Sequence, residues 1–355
     1  MNEKWNEPTP VQPTPVQPTL REINWNNVPI WAWPAPRPER ARFDAGVLEQ
    51  RRAGQEQLRA QRLARKRLGN ANGMMLLWHV LMYVIVFGAT LLGTVAGKLE
   101  TFQGAGYLLF GAVSPVLVLL WKKPRYYRTH VFARRRTPSF ALVLLWLVLL
   151  LGIQGAADLL QRLLSPLFTM FGDGNSALTE LDGSWQMIVY TAVLAPIGEE
   201  ILFRGLLLRT AQPYGRRLAI FTSAMFFALM HGNLTQGVFA FGFGLLAAYI
   251  TLEYSIVWSI LLHTINNSLL AYGLNALLQT MMPVDQLVTL LAVFYLPLLA
   301  LIVLLIVKRR AIGSYLRQER PLGIWKNAYF TSPWTIVALV VFGLTMIFSL
   351  VCMGI

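Results

Sequence analysis

Apolar runs recur along most of the chain, at 74–97, 104–121, 139–161, 185–208, 217–231, 235–253, 256–277, 286–307 and 334–354. Most approach the ~20 residues that a helix rising 1.5 Å per residue needs to cross the hydrocarbon core. They predict an all-α fold, a polytopic transmembrane helical bundle of eight or nine spans. The lower count applies if the short fifth run, or the second run with its Gly106 and Pro115, does not cross. Ahead of the first run the pattern changes twice. Residues 8–19 repeat Pro-Thr-Pro-Val-Gln, which favours solvated polyproline II geometry. With Trp25, Trp31 and Trp33 among further prolines, residues 1–42 read as a disordered Pro/Trp-rich tail, its indoles at headgroup level or merely disordered in preference to a partner-binding motif. From Phe43 the spacing turns helical, with Arg51, Arg52, Arg59, Arg62, Arg65, Lys66 and Arg67 on a helix poor in large apolar residues. Residues 43–72 are therefore expected to form a solvated basic cytoplasmic helix facing lipid.

Composition agrees with this reading. The 355 residues are 55% hydrophobic and 14% charged, with mean hydropathy +0.50, too apolar for a soluble chain of this size. The net charge of +14 would suit nucleic acid, but the basic residues cluster between apolar runs, where they fix orientation and meet anionic lipid. No nucleic-acid partner is expected; membrane lipids are. The single cysteine, Cys352, excludes an internal disulfide framework. No charged head precedes an apolar run at the N-terminus, so the first span is expected to serve as the insertion signal. Basic stretches before the first run, at 122–136, at 204–217 and at 308–326 fall on one side of a nine-span chain, and Asp173, Glu180 and Asp182 fall on the other. That pattern places the N-terminus in the cytoplasm of a multi-pass plasma-membrane protein, with the C-terminus outside.

Ionisable groups inside such runs are costly and mark function by default. Glu199 and Glu200 lie mid-run, with Arg204 one turn later; His231 ends Phe227-Ala-Leu-Met-His231, and His263 opens His263-Thr-Ile-Asn-Asn267. Counted from the cytoplasmic ends, these groups lie roughly 12–21 Å deep, so their depths overlap near mid-membrane. Glu200 and Arg204 are i and i+4, which predicts an ion pair on one face. Glu199 points about 100° away and keeps its carboxylate for proton exchange with water. His263 and Asn267 share a face as donors, and Phe227 shares one with His231, where its ring can wall a pocket. His79 and His130 lack such partners and read as structural. Gly237, Gly242 and Gly244 read as small residues permitting close helix packing.

The motifs Glu-Glu-x-x-x-Arg (199–204), Phe-x-x-x-His (227–231) and His-x-x-x-Asn (263–267) resemble the signature of the CPBP family of intramembrane proteases. This family holds the type II CAAX prenyl endopeptidases and their Abi relatives, which process bacteriocins or confer self-immunity. The resemblance covers about 140–275. It implies an intramembrane protease core over 139–277, set between N-terminal spans at 73–138 and C-terminal spans at 278–355. It further implies that Glu199 activates the hydrolytic water with help from His231, that His263 and Asn267 stabilise the oxyanion, and that Glu200 and Arg204 support them. The substrate would be a peptide or lipid-modified protein. Two histidines and a carboxylate (His231, His263, Glu199) could instead hold zinc, but zinc would leave no separate base except Glu200, and a metal-independent glutamate mechanism is favoured. Two other classes compete: a non-catalytic binding module that confers bacteriocin immunity or regulates a membrane partner, and a proton-coupled transporter, which the absence of evident paired repeats disfavours. Cys352-Met-Gly-Ile355 only superficially matches a prenylation terminus. Oligomeric state is not encoded legibly.

Overall fold

A computed structural model describes residues 38–121, 126–133, 136–170, 184–317 and 323–352. Every regular element among them is helical. The Pro/Trp-rich tail, the acidic loop residues Asp173, Glu180 and Asp182, the His130 side chain and the chain's last three residues lie outside the described residues. The helices are α1 (Pro38–Val95), α2 (Leu99–Leu120), α3 (Phe140–Met170), α4 (185–214), α5 (Arg216–Met230), α6 (Leu234–Glu253), α7 (256–279), α8 (Pro283–Arg317), α9 (Gly323–Phe330) and α10 (Pro333–Cys352). Contacts divide the chain into two units, 1–57 and 58–355. Within the first, the described residues from Pro38 to Gln57 are helical, and those from Leu48 onward are exposed.

Among the described residues five helices are long and apolar enough to cross a membrane. There are six if Gly323–Phe330 and Pro333–Ser349, which meet at 62°, form one broken span. The expected eight or nine spans are thus not confirmed. The apolar run at 185–208 is helical throughout but alternates between α and π turns, Tyr190–Leu194 and Ile201–Leu208 being π. Helix α5 has only 15 residues, about 22 Å at 1.5 Å each, and α7 widens to π after Ile265. Hydropathy located these segments, but the local helix geometry determined how far each reaches.

The second unit is built around α4. Every residue from Ile201 to Ala211 is buried, enclosed by contacts with α2, α5, α6 and α7. Helix α6 lies against α3, α5 and α7, and α3 pairs with α8. Close approach here depends on small residues. A Cβ on Gly244 of α6 would lie 2.9 Å from Ala224 Cα of α5, and one on Gly242 would lie 2.7 Å from Ile153 of α3. Gly237 faces the Ala228 carbonyl in the same way, so all three glycines serve helix packing as their spacing suggested. Helix α5 ends at Gly232, whose φ of +64° only glycine adopts freely.

The basic helix expected at 43–72 does not end before the first span but continues into it as α1. One face of its last turns is buried, with Ala64 and Leu68 at 0% and 1% exposure, while Arg62, Arg65, Lys66 and Arg67 remain exposed as expected. Gly69 and Gly73 admit Ser332 and Trp334 from the turn into α10. Arg65 Nη2 donates to the Thr331 carbonyl over 2.7 Å, Asn72 Nδ2 to Thr335 Oγ1 over 2.7 Å, and Tyr329 OH to Asn72 Oδ1 over 3.3 Å. Elsewhere Tyr315 OH donates to Glu253 Oε1 over 2.8 Å, Arg216 lies 3.4 Å from the same oxygen, and its guanidinium sits over the Tyr315 ring. The start of α5 and the ends of α6 and α8 therefore meet at one face, bringing two of the four basic stretches together. His79 is buried between the Tyr83 and Phe342 rings, each 4.9 Å away, as a packed core residue.

Gly244→Ala should lower the thermal midpoint of the purified protein in detergent, overpacking of this kind costing ~1–3 kcal/mol against a smaller gain in helix propensity. Gly88→Ala, whose Cβ would meet nothing within 4 Å, should not. Equal melting of the two variants would remove the close-approach role of Gly244.

Candidate active site

The site forms where α4 changes from α to π geometry. Glu199 and Glu200 end the α turn Ala195–Glu200, and the wide turn Ile201–Leu208 follows. Single π turns inside α-helices recur at functional sites. Their carbonyls lose regular partners, and here side chains from neighbouring helices supply donors. Ser223 Oγ of α5 donates to the Phe203 carbonyl over 2.9 Å, and Asn267 Nδ2 of α7 to the Thr191 carbonyl over 2.8 Å. Pro115 and Ser114 of α2 pack on Gly198, immediately before the two carboxylates.

Glu200 is fully buried and faces three groups. Arg204 Nη1 lies 3.0 Å from Oε1 in the expected i, i+4 pair. Its N–H vectors miss hydrogen-bond alignment, all three guanidinium nitrogens being without an aligned acceptor, so the attraction is mainly coulombic. The guanidinium lies 4.3 Å above the Phe227 ring, an arrangement that strengthens on desolvation. Ser259 Oγ donates to Oε2 over 2.5 Å, and His263 Nδ1 meets Oε1 at 3.1 Å. Ser259 and His263 are i and i+4 on α7, so one helix face delivers both. Because a carboxylate flanked by a hydroxyl donor and a guanidinium accepts, the His263 proton sits on Nδ1.

That bond aims the other ring nitrogen at the second carboxylate. His263 Nε2 lies 3.8 Å from Glu199 Oε2, beyond a direct hydrogen bond but close enough for one water at about 2.8 Å to touch both. Glu199 is mostly buried and, among the described residues, forms no ion pair with an arginine, as its place on the helix suggested. His231 Nδ1 donates to the Phe227 carbonyl over 2.7 Å, which leaves Nε2 as a lone-pair acceptor. No hydrogen bond or ion pair joins His231 to Glu199 among the described residues. Phe227 links the two imidazoles instead, its ring 5.0 Å from His231 and 5.6 Å from His263. At 1% exposure it is a buried spacer as well as a wall.

Asn267 neighbours Asn266, whose Nδ2 donates to its Oδ1 over 3.0 Å. Glu199, Glu200, Arg204, Phe227 and His263 thus form one cluster, His231 joins it through Phe227, and Asn267 reaches α4 at Thr191. Sequence reasoning missed Ser259. A buried serine one turn before an intramembrane histidine was the available signal, but serine is common where helices pack closely. The three residues that would hold zinc do not form a metal set. Among the described residues no three His, Cys, Asp or Glu side chains come together to hold an ion.

Residues 182–269 match the family model for Type II CAAX prenyl endopeptidase Rce1-like proteins. That match is consistent with the CPBP family. It takes in all three motifs and supports an intramembrane CAAX-type protease in general. Helices α1 to α3 and α8 to α10 lie outside it. No curated protein and no solved structure matches the chain.

Removing Glu200 should cost stability as well as rate. Glu200→Ala leaves Arg204 buried without its counter-charge, and breaking such a pair costs ~3–5 kcal/mol. In thermal melts Glu200→Ala with Arg204→Ala should be milder than Glu200→Ala alone. A double variant that melts below both single variants would end the ion-pair reading.

Proposed function

We propose that the protein is an intramembrane endopeptidase that hydrolyses a peptide bond in a membrane-associated or lipid-modified substrate. The observation that carries this reading is the placement of His263 between two carboxylates inside an Rce1-like domain. One carboxylate, Glu200, is saturated with partners, and the other, Glu199, stands 3.8 Å from the free ring nitrogen. Only the second is available for proton transfer.

In this mechanism Glu199 takes a proton from a water held near His263 and the lone pair of His231 Nε2. The hydroxyl oxygen bonds to the scissile carbonyl carbon, and the carbonyl π electrons move onto oxygen. His263 Nε2–H and the second Nδ2–H of Asn267 stabilise that oxyanion; preorganised donors in a dry site are often the largest catalytic contribution. For Nε2 to donate, the ring must carry both protons, and Glu200 supplies the counter-charge. Collapse breaks the C–N bond, and Glu199 passes its proton to the amine that leaves. No Ser or Cys nucleophile is needed. A plasma-membrane location with a cytoplasmic N-terminus belongs to this proposal, supported by two of the four basic stretches meeting at one face. Peptide pheromone or bacteriocin maturation is as compatible with the site as a prenylated substrate.

Glu199→Gln is nearly isosteric but cannot accept a proton, so it should abolish cleavage by the reconstituted protein while leaving insertion and melting intact. Residual activity above about a tenth of wild type would reassign the base, general-base catalysis being worth ~10²–10⁴-fold. A separate measurement addresses metal. Active preparations should contain far less than one zinc per chain and survive chelation, and Asn267→Ala should slow turnover by about a hundredfold or more. Stoichiometric zinc whose removal and return track activity would overturn the metal-independent mechanism.

A further inference from the structure

The orientation of the Asn267 amide is settled by its neighbours. The Thr191 carbonyl can only accept, so the Asn267 NH₂ group faces it and Oδ1 faces the other way. Asn266 must then present its own NH₂ group to Asn267 Oδ1, as its 3.0 Å bond records. This leaves Asn266 Oδ1 as the surplus acceptor. It is buried and has no hydrogen-bond partner among the described residues, and the whole residue is only 8% exposed. Interiors seldom bury a carbonyl oxygen without a donor. This one lies on the same small amide that holds the oxyanion donor, at the first residue of the π turn Asn266–Leu274, which packs on the π turn Tyr190–Leu194 of α4.

We infer that Asn266 is a substrate-binding residue whose Oδ1 accepts a backbone N–H of the peptide beside the scissile bond, while its Nδ2 holds the Asn267 amide in place. The inference rests on the peptidase reading and deepens it. The ligand class is an extended peptide that carries a free N–H at that position; an N-alkylated residue there forfeits the contact. An ordered water at Oδ1 is the competing occupant, and it would be indifferent to the substrate's N–H.

The test uses the purified full-length protein and a set of internally quenched peptides. The peptide cleaved fastest by wild type is resynthesised with one N-methyl group at each position flanking the scissile amide, which stays unmodified. One of these should lower kcat/KM by about tenfold in wild type, the scale of one lost hydrogen bond that leaves a buried acceptor unpaired. The same N-methyl group should have no further effect in Asn266→Ala, which begins about tenfold lower on the parent peptide. Asn266→Asp keeps an acceptor oxygen but loses the donor to Asn267, so it should turn over more slowly and still show the N-methyl penalty. Asn266→Ser serves the same comparison if the alanine form does not fold. Equal N-methyl penalties in wild type and Asn266→Ala at every position would assign the oxygen to water and overturn the inference alone. A wild type that cleaves none of the peptides would sink the peptidase reading, and the inference with it.

Discussion

A single desolvated carboxylate organises the centre of this bundle. Glu200 has no exposure to solvent, and an ionised carboxylate survives at such depth only when its charge and lone pairs are met by other groups. Arg204 meets the charge from the same helix, and Ser259 and His263 meet the lone pairs from α7. The requirement therefore fixes α7 against α4 and fixes the rotation of the His263 ring. Phe227 completes the arrangement from α5 by covering the guanidinium and touching both imidazoles. Glu199, the base of the proposed mechanism, contributes little to this scaffold.

The π turns of α4 and α7 follow the same logic at the level of the backbone. A widened turn exposes carbonyls that an α-helix would satisfy, and in lipid no water replaces the lost bonds. Ser223 and Asn267 provide donors across helix boundaries. These side chains tie the irregular backbone to the bundle and keep the residues it displays from shifting. Irregular helix at membrane depth is tolerated because it is enclosed by protein: α4 is buried without a break from Ile201 to Ala211.

Polar contacts rather than apolar packing alone join the segments outside 182–269 to one another and to that stretch. Arg65 and Asn72 of α1 bond to the turn before α10 and to α10 itself, and Tyr315 of α8 bonds to Glu253 at the end of α6. Association of helices in lipid lacks the hydrophobic drive available in water, so small residues and interhelical hydrogen bonds determine which helices pair. Within the second unit, α1 is in this way joined to α10, and α8 to α6, by specific bonds.

Much of the site was legible in the sequence because intramembrane charge is too costly to be accidental. The three motifs, the i, i+4 pairing of Glu200 with Arg204 and the separate direction of Glu199 follow from helix periodicity and the price of burial. The all-helical, membrane-embedded class follows from the apolar runs. The chain's linear order could not state that Glu200 would bind His263, that Ser259 would share the task, or that Asn267 would bond to the Thr191 backbone. Those contacts join positions far apart in sequence, and they depend on where α turns yield to π turns. The same limit explains the span count and α1. Hydropathy scores each residue by itself, whereas helix length, the break before α10 and the burial of Ala64 and Leu68 depend on the neighbours that the tertiary fold supplies.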